Sequence, residues 1–249
     1  MKNVIFLASI SRRSLLASTA VCLFASSISA GASTIGQGMP WSPGTARPPA
    51  PARPGPWTFF SADEASLIEA AIDRLIPADE RGPGGKDAGC AVFIDRQLAG
   101  PYGRGDGLYM RPPFMPGAAT QGYQRPDTPA AQYRSGLKAL GEYVKNAFNG
   151  KSFSQLSLLD QDDVLTGIES GSIALKDVDG AQFFALLLEN TMEGFFADPI
   201  YGGNRDMAGW KLIGFPGARY DYRDWVERHN EPYPLPPVSI TGRSEWEVK

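Results

Sequence analysis

The chain has 249 residues, 43% of them hydrophobic, with 24 Lys and Arg against 27 Asp and Glu for a net charge of −3. That length suffices for one well-buried domain without covalent staples, and an acidic balance with no Lys/Arg cluster excludes a phosphate-tracking face for nucleic acid. Of the two cysteines, Cys22 sits in the N-terminal segment and Cys90 reads as a small core residue, so the mature domain is expected to hold no internal disulfide.

The chain opens on Ser11-Arg12-Arg13-Ser14-Leu15-Leu16, a paired arginine set directly before an apolar run from Leu15 to Ala25. Eleven residues rise only about 16 Å as a helix, against about 30 Å of hydrocarbon core, which argues against a membrane span. A cleavable twin-arginine export signal over 1–32 fits the order of charge, apolar run and small residues, with Arg12 and Arg13 as its recognition pair. Ser29-Ala30-Gly31-Ala32 supplies the cleavage site, after Ala32 or alternatively after Ala30. The expected location is therefore the periplasm, reached in a folded state. Cleavage removes Lys2, Arg12 and Arg13 but no acidic residue, leaving a more acidic mature chain.

Residues 33–56 are rich in Gly, Pro, Ser and Ala, and such a segment buries too little apolar surface to offset its ordering entropy. It reads as a linker. The domain is expected over 57–230, with a tail over 231–249. Ser61-Ala62-Asp63-Glu64 is a capping box, and Leu67, Ile68, Ala71, Ile72, Leu75 and Ile76 follow at helical spacing until Pro77. A second helix is expected after Asp87, carrying Val92, Phe93, Ile94 and Leu98 up to Gly100-Pro101. Residues 100–127 have little periodicity and read as a surface excursion. Thr128-Pro129 caps a long helix to Phe148, with Tyr133, Leu137, Leu140, Val144 and Phe148 on one face and Asn149-Gly150 as its stop. Ser157 begins a shorter helix through Val164, Leu165 and Ile168, closed by Gly171. The segment from Ala181 to Ala197 is apolar nearly all round, apart from Glu189-Asn190 and Glu193, and is expected at the centre of a bundle. No strand or hairpin pattern competes, so the fold class is all-α, a single helical bundle with long Gly/Pro-rich loops.

Catalytic groups are scarce. His229 is the one histidine; beside Arg228 and Asn230 it reads as a surface side chain, and neither a zinc-spaced cluster, a serine-nucleophile elbow nor a C-x-x-C-H haem site accompanies it. The glycine runs Gly82-Pro83-Gly84-Gly85 and Gly103 to Gly107 lack the strand that a dinucleotide fingerprint needs and read as turns. Asp198, Asp206 and Glu193 are candidates for an acid/base pair, against a chance grouping among many carboxylates. No catalytic, cofactor-binding or metal residue is assigned.

One loop stands above this background: Asp198-Pro199-Ile200-Tyr201-Gly202-Gly203-Asn204, then Gly209 to Gly217 with Trp210 and Phe215. It combines positions suited to positive φ with large aromatic faces. Two readings stand side by side: a loop that plugs the end of its own bundle, or a rigid aromatic surface for a partner. On the second, Tyr201, Asn204, Trp210 and Phe215 are the candidate docking residues.

Ile76-Pro77-Ala78-Asp79, Pro83-Gly84-Gly85, Asp87-Ala88-Gly89 and Phe93 to Leu98, joined to the blocks Asp198–Asn204 and Gly209–Gly217, resemble the gluconate 2-dehydrogenase subunit 3 family. The resemblance implies a small, non-catalytic subunit of an exported, membrane-associated dehydrogenase of sugars or sugar acids. In such complexes a large flavoprotein carries FAD and a cytochrome subunit carries haem c, while the small subunit supports maturation and export of the large one. The partners it implies are that FAD-dependent large subunit and the cytochrome c subunit, together with the twin-arginine translocase, and association with the membrane runs through them. The competing reading is an independent exported enzyme or small-ligand binder that uses the 198–217 loop as a pocket wall.

Overall fold

Four of the helices described begin where a side chain three residues earlier satisfies an open amide. In the computed structural model, which describes residues 51–115, 117–121, 124–219 and 221–242, the Ser61 hydroxyl accepts from the Glu64 amide and the Glu64 carboxylate accepts from the Ser61 amide at 2.8 Å. This box starts α1 (Ala62–Leu75). Helices α2 (Cys90–Ala99), α3 (Pro101–Arg104), α4 (Pro129–Ala147), α5 (Leu158–Glu169), α6 (Gly180–Phe196) and α7 (Ala208–Ile213) follow. Thr128 caps α4, Ser157 caps α5 and Asp179 caps α6, each accepting an amide hydrogen bond near the start of its helix. Among the described residues there are seven α-helices and no strand, so the chain is all-α. The segment expected to be an export signal, with Arg12 and Arg13, and residues 33–50 of the expected linker lie outside the described residues.

Helix α6 is the hub, touching α1, α2, α4, α5 and α7. Its Phe183, Phe184, Leu187, Thr191, Gly194 and Phe195 are buried, each large apolar side chain contributing roughly 1.5–3 kcal/mol on leaving water. The helix is nevertheless two-sided: Ala181, Ala185, Glu189, Met192 and Phe196 are exposed along one edge, uncovered by any element among the described residues. Across from it, Gly136 of α4 lets the Phe183 ring approach so closely that a Cβ there would lie 2.3 Å from the ring. Tyr133 packs edge-on against Phe183 with centroids 5.9 Å apart. Cys90 lies in this core, fully buried.

Two buried polar devices were not foreseen from periodicity. Asp95 shares the apolar stripe of α2 with Ala91, Ile94 and Leu98 and is fully buried. Its carboxylate accepts from the amides of Thr58, Phe59 and Phe60, each at 2.9 Å, and from the Arg96 guanidinium. The segment leading into α1 is thereby bolted to α2. Asn190, an interruption in the apolar run of α6, accepts from the Tyr133 hydroxyl at 3.0 Å, bonds the Tyr102 hydroxyl of α3, and donates to Glu193 at 3.0 Å. The start of the 100–127 excursion is therefore tied to the core.

The domain boundaries widen on both sides. At the N-terminal side, the Ala52 amide donates to the Ile200 carbonyl at 2.7 Å, and the Arg96 guanidinium donates to the carbonyls of Arg53 and Pro56. The C-terminal tail is not free: Val238 and Ser239 are buried, and the described residues all fall within one compact unit. Contacts with the bundle therefore reach past the expected 57–230 on both sides, at Ala52 and at Val238 and Ser239.

Candidate docking surface

The loop after α6 is built by close backbone approaches that only particular residues permit. Asp198 caps a single 3-10 turn, Pro199–Tyr201, accepting the Ile200 amide at 3.0 Å. Gly202 then turns at φ +99, and Gly203 lies so near α6 that a Cβ would sit 2.1 Å from the Gly194 carbonyl oxygen. Asn204, Asp206 and Met207 all adopt positive φ, a region that costs a non-glycine residue roughly 1 kcal/mol or more. Other interactions must hold them there.

Asn204 is one of those holds. It is fully buried, with its Nδ2 donating to the Ala197 carbonyl and its Oδ1 accepting the Gly209 amide, both at 2.8 Å. Trp210, 5% exposed, donates from Nε1 to the Phe196 carbonyl at 2.7 Å and stacks edge-on with Phe215 at 5.2 Å. Gly214 ends α7 in the left-handed region, and the Phe215 amide folds back onto the Trp210 carbonyl at 2.8 Å.

The same loop is held from outside by the tail. Asp198 accepts the Ser239 hydroxyl and the Ile240 amide, both at 2.7 Å. The Ala218 amide donates to the Val238 carbonyl at 2.7 Å, and Gly217 approaches it so closely that a Cβ would lie 2.2 Å from that oxygen.

The four candidate docking residues are thus gathered into one loop but divided in role. Asn204 and Trp210 face inward and offer a partner no surface; each satisfies backbone groups at the end of α6. A sequence shows an aromatic or an amide without showing which way the loop folds it, and here the fold buries both. Tyr201 and Phe215 are 41% and 44% exposed. Leu212 and Ile213 of α7, next to Phe215 in the chain, and Met192 and Phe196 of α6 are exposed as well, and Trp210 links the Phe196 carbonyl to the Phe215 ring. Sequence reasoning missed these four, although the 3.6-residue spacing of Met192 and Phe196 outside the buried stripe was the available signal.

The candidate acid/base carboxylates take separate duties. Asp198 is committed to the loop and tail amides, Glu193 to Asn190, and Asp206 is exposed in the strained turn. Burial raises the Glu193 carboxyl above its ordinary range, with Glu189 adding to the rise and the Asn190 hydrogen bond opposing it. His229 is exposed. Among the described residues no three His, Cys, Asp or Glu side chains form a group able to hold a metal ion. The first glycine run lies in a turn, with Gly84 against the backbone of Ile76 and Ala78; the second starts in α3, where Gly103 meets the Leu98 carbonyl, and turns only from Gly105.

The two sequence blocks that carried the family resemblance meet in space. The Arg205 amide donates to the Ala88 carbonyl at 2.9 Å, Gly89 at φ +82 faces the Gly202 carbonyl, and Gly194 packs on Phe93. The sequence profile of gluconate 2-dehydrogenase subunit 3 matches residues 62–217, from the first residue of α1 to the glycine beneath the tail. The chain belongs to the gluconate 2-dehydrogenase subunit 3 family. Comparison with curated proteins and with solved structures found no match. Membership makes the chain a subunit of an oxidoreductase complex.

Proposed function

We propose that this chain is the non-catalytic small subunit of an exported FAD-dependent sugar or sugar-acid dehydrogenase, that it binds the flavoprotein large subunit, and that it supports that subunit's maturation and twin-arginine export. The observation that carries the reading is family membership over the 62–217 scaffold. Tyr201 and Phe215, with Leu212, Ile213 and Phe196 beside them, form the docking surface, since exposed aromatic and aliphatic side chains on a rigid base are the usual anchors of an interface. The base is rigid because Asn204, Trp210 and Asp198 satisfy its backbone from beneath. FAD and haem c belong to the flavoprotein and to a cytochrome c subunit in this reading, and the complex works in the periplasm, associated with the membrane through those partners.

Copurification with the flavoprotein tests the docking assignment. Phe215→Ala combined with Ile213→Ser should weaken the complex about tenfold or more while thermal unfolding stays near wild type; an undiminished complex would remove this surface from the reading. Replacing both Arg12 and Arg13 by Lys should hold dehydrogenase activity in the cytoplasm, and unaffected export would sink the carrier role. The independent-enzyme reading makes the opposite demand: the purified chain alone should turn over a substrate or bind a sugar acid.

A further inference from the structure

Most glycines inside the helices have a neighbour that leaves no room for a Cβ. One at Gly136 would meet the Phe183 ring, one at Gly167 the Ile173 side chain and one at Gly194 the Phe93 ring. At Gly141, in the interior of α4, a Cβ would meet nothing within 4 Å. A mid-helix glycine destabilises its helix relative to alanine, so packing within the chain gives no reason for it. Gly141 lines a cleft of about 480 Å³ between α4, the start of α1 and the turn Phe153–Gln155. The buried side chains of Leu67, Leu137 and Phe153 supply its apolar lining. Exposed charges of both signs complete it: Lys138 and Lys145, which share the Gly141 face, Glu142 beside them, and Asp63 on α1. Among the described residues none of these four side chains has a hydrogen bond or ion pair, whereas the neighbouring Glu64 is taken by Arg134.

We propose that this cleft receives an amphipathic helix of the flavoprotein large subunit, laid across Gly141 with a small or aliphatic residue against the bare α4 backbone, carboxylates facing Lys138 and Lys145, and a basic side chain facing Asp63 and Glu142. The unpaired charges decide the class of occupant. A small ion of either sign would answer two of the four and be repelled by the other two, whereas a protein segment carries both signs at set spacings. The shape asks for a helix: two helical walls leave a furrow into which the ridges of a third pack, and Lys138 to Lys145 spans two turns, about 10 Å. A second copy packed face to face offers nothing to fill the apolar lining, because neither α1 nor α4 exposes a large hydrophobic side chain. This contact rests on the reading that the chain binds the flavoprotein, and it shares no residue with the surface around Phe215.

Coexpression of the full chain with the flavoprotein, followed by copurification and thermal unfolding, tests it. Gly141→Ala should raise the unfolding midpoint by about 2–4 °C, because the space beside it is open. Gly141→Leu should leave the chain at least as stable as wild type and weaken the complex about tenfold. Lys138→Glu with Lys145→Glu should weaken it about fivefold with unfolding unchanged. Complexes of wild-type strength in both of these variants would overturn the proposal, and so would a Gly141→Ala chain that melts lower, since the glycine would then serve internal packing. Self-association of the wild-type chain by light scattering, abolished in Gly141→Leu, would also overturn it and assign the cleft to a second copy. The Phe215→Ala, Ile213→Ser variant keeps the failures apart. If it breaks the complex while the cleft variants do not, the cleft alone is struck; a wild-type chain that never copurifies with the flavoprotein overturns the underlying reading and the cleft contact together.

Discussion

At the scale of single residues, the chain places ionisable groups where apolar packing alone would leave backbone amides open. Asp95 is the strongest instance: one fully buried carboxylate serves three amides at the domain entrance. Asp95→Ala would leave those amides without a partner and should lower unfolding stability by about 3 kcal/mol, read from urea titration. Cys90 shows the opposite economy. Burial pushes its thiol up to about 12 from an ordinary 9.0, so the native thiol should resist alkylation at pH 8 and react only as the domain unfolds. The sign for stability follows: the unfolded thiol ionises from pH 9 upward while the folded one stays protonated. This contribution is whole below pH 9 and is lost as pH climbs toward 12. The two residues differ in what the sequence showed of them. Cys90 was readable as core from its apolar setting, while Asp95 sat at the i+4 position of an apolar stripe with partners more than 30 residues away.

At the scale of elements, what the sequence made legible was local. The caps at Ser61, Thr128 and Ser157 act over three residues, and the helices they begin lie where periodicity placed them, within a residue or two at their ends. The loop after α6 was legible as a feature and not as a geometry. Its composition announced tight turns, but the inward direction of Asn204 and Trp210 depends on carbonyls at the end of α6 that become available only once the loop has folded back. The joint between α6 and this loop can be probed at Gly203. A methyl group there collides with the Gly194 backbone, so Gly203→Ala should destabilise the domain by about 2–3 kcal/mol. It should also expose Trp210, seen as a red shift of tryptophan emission; an unshifted spectrum and unchanged midpoint would show that the loop relaxes freely.

At the scale of the whole molecule, the domain closes on itself through segments that composition assigned to linker and tail. A fragment spanning 51–242 should therefore unfold as a single cooperative unit, whereas one spanning 57–230 should lose the bonds from Ala52, Val238, Ser239 and Ile240 and melt several degrees lower. Equal midpoints by scanning calorimetry would restore the narrower boundary. The family profile ends at residue 217, so the tail that fastens the loop lies beyond the part of the chain the family shares.

The fastening of Asp198 to Ser239 spans 41 residues of chain. During synthesis the N-terminal side, Ala52, is ready long before Ile200 emerges, but the Asp198 carboxylate waits for Ser239 and Ile240, some forty residues later. The turn carrying Tyr201 is thus completed last, and an unfinished chain presents it unlatched. Vectorial synthesis gives the protein an order of events: α1 to α6 are made before the residues that latch the loop, and the surface beside Phe215 takes its final form only after Ser239 and Ile240 have been added.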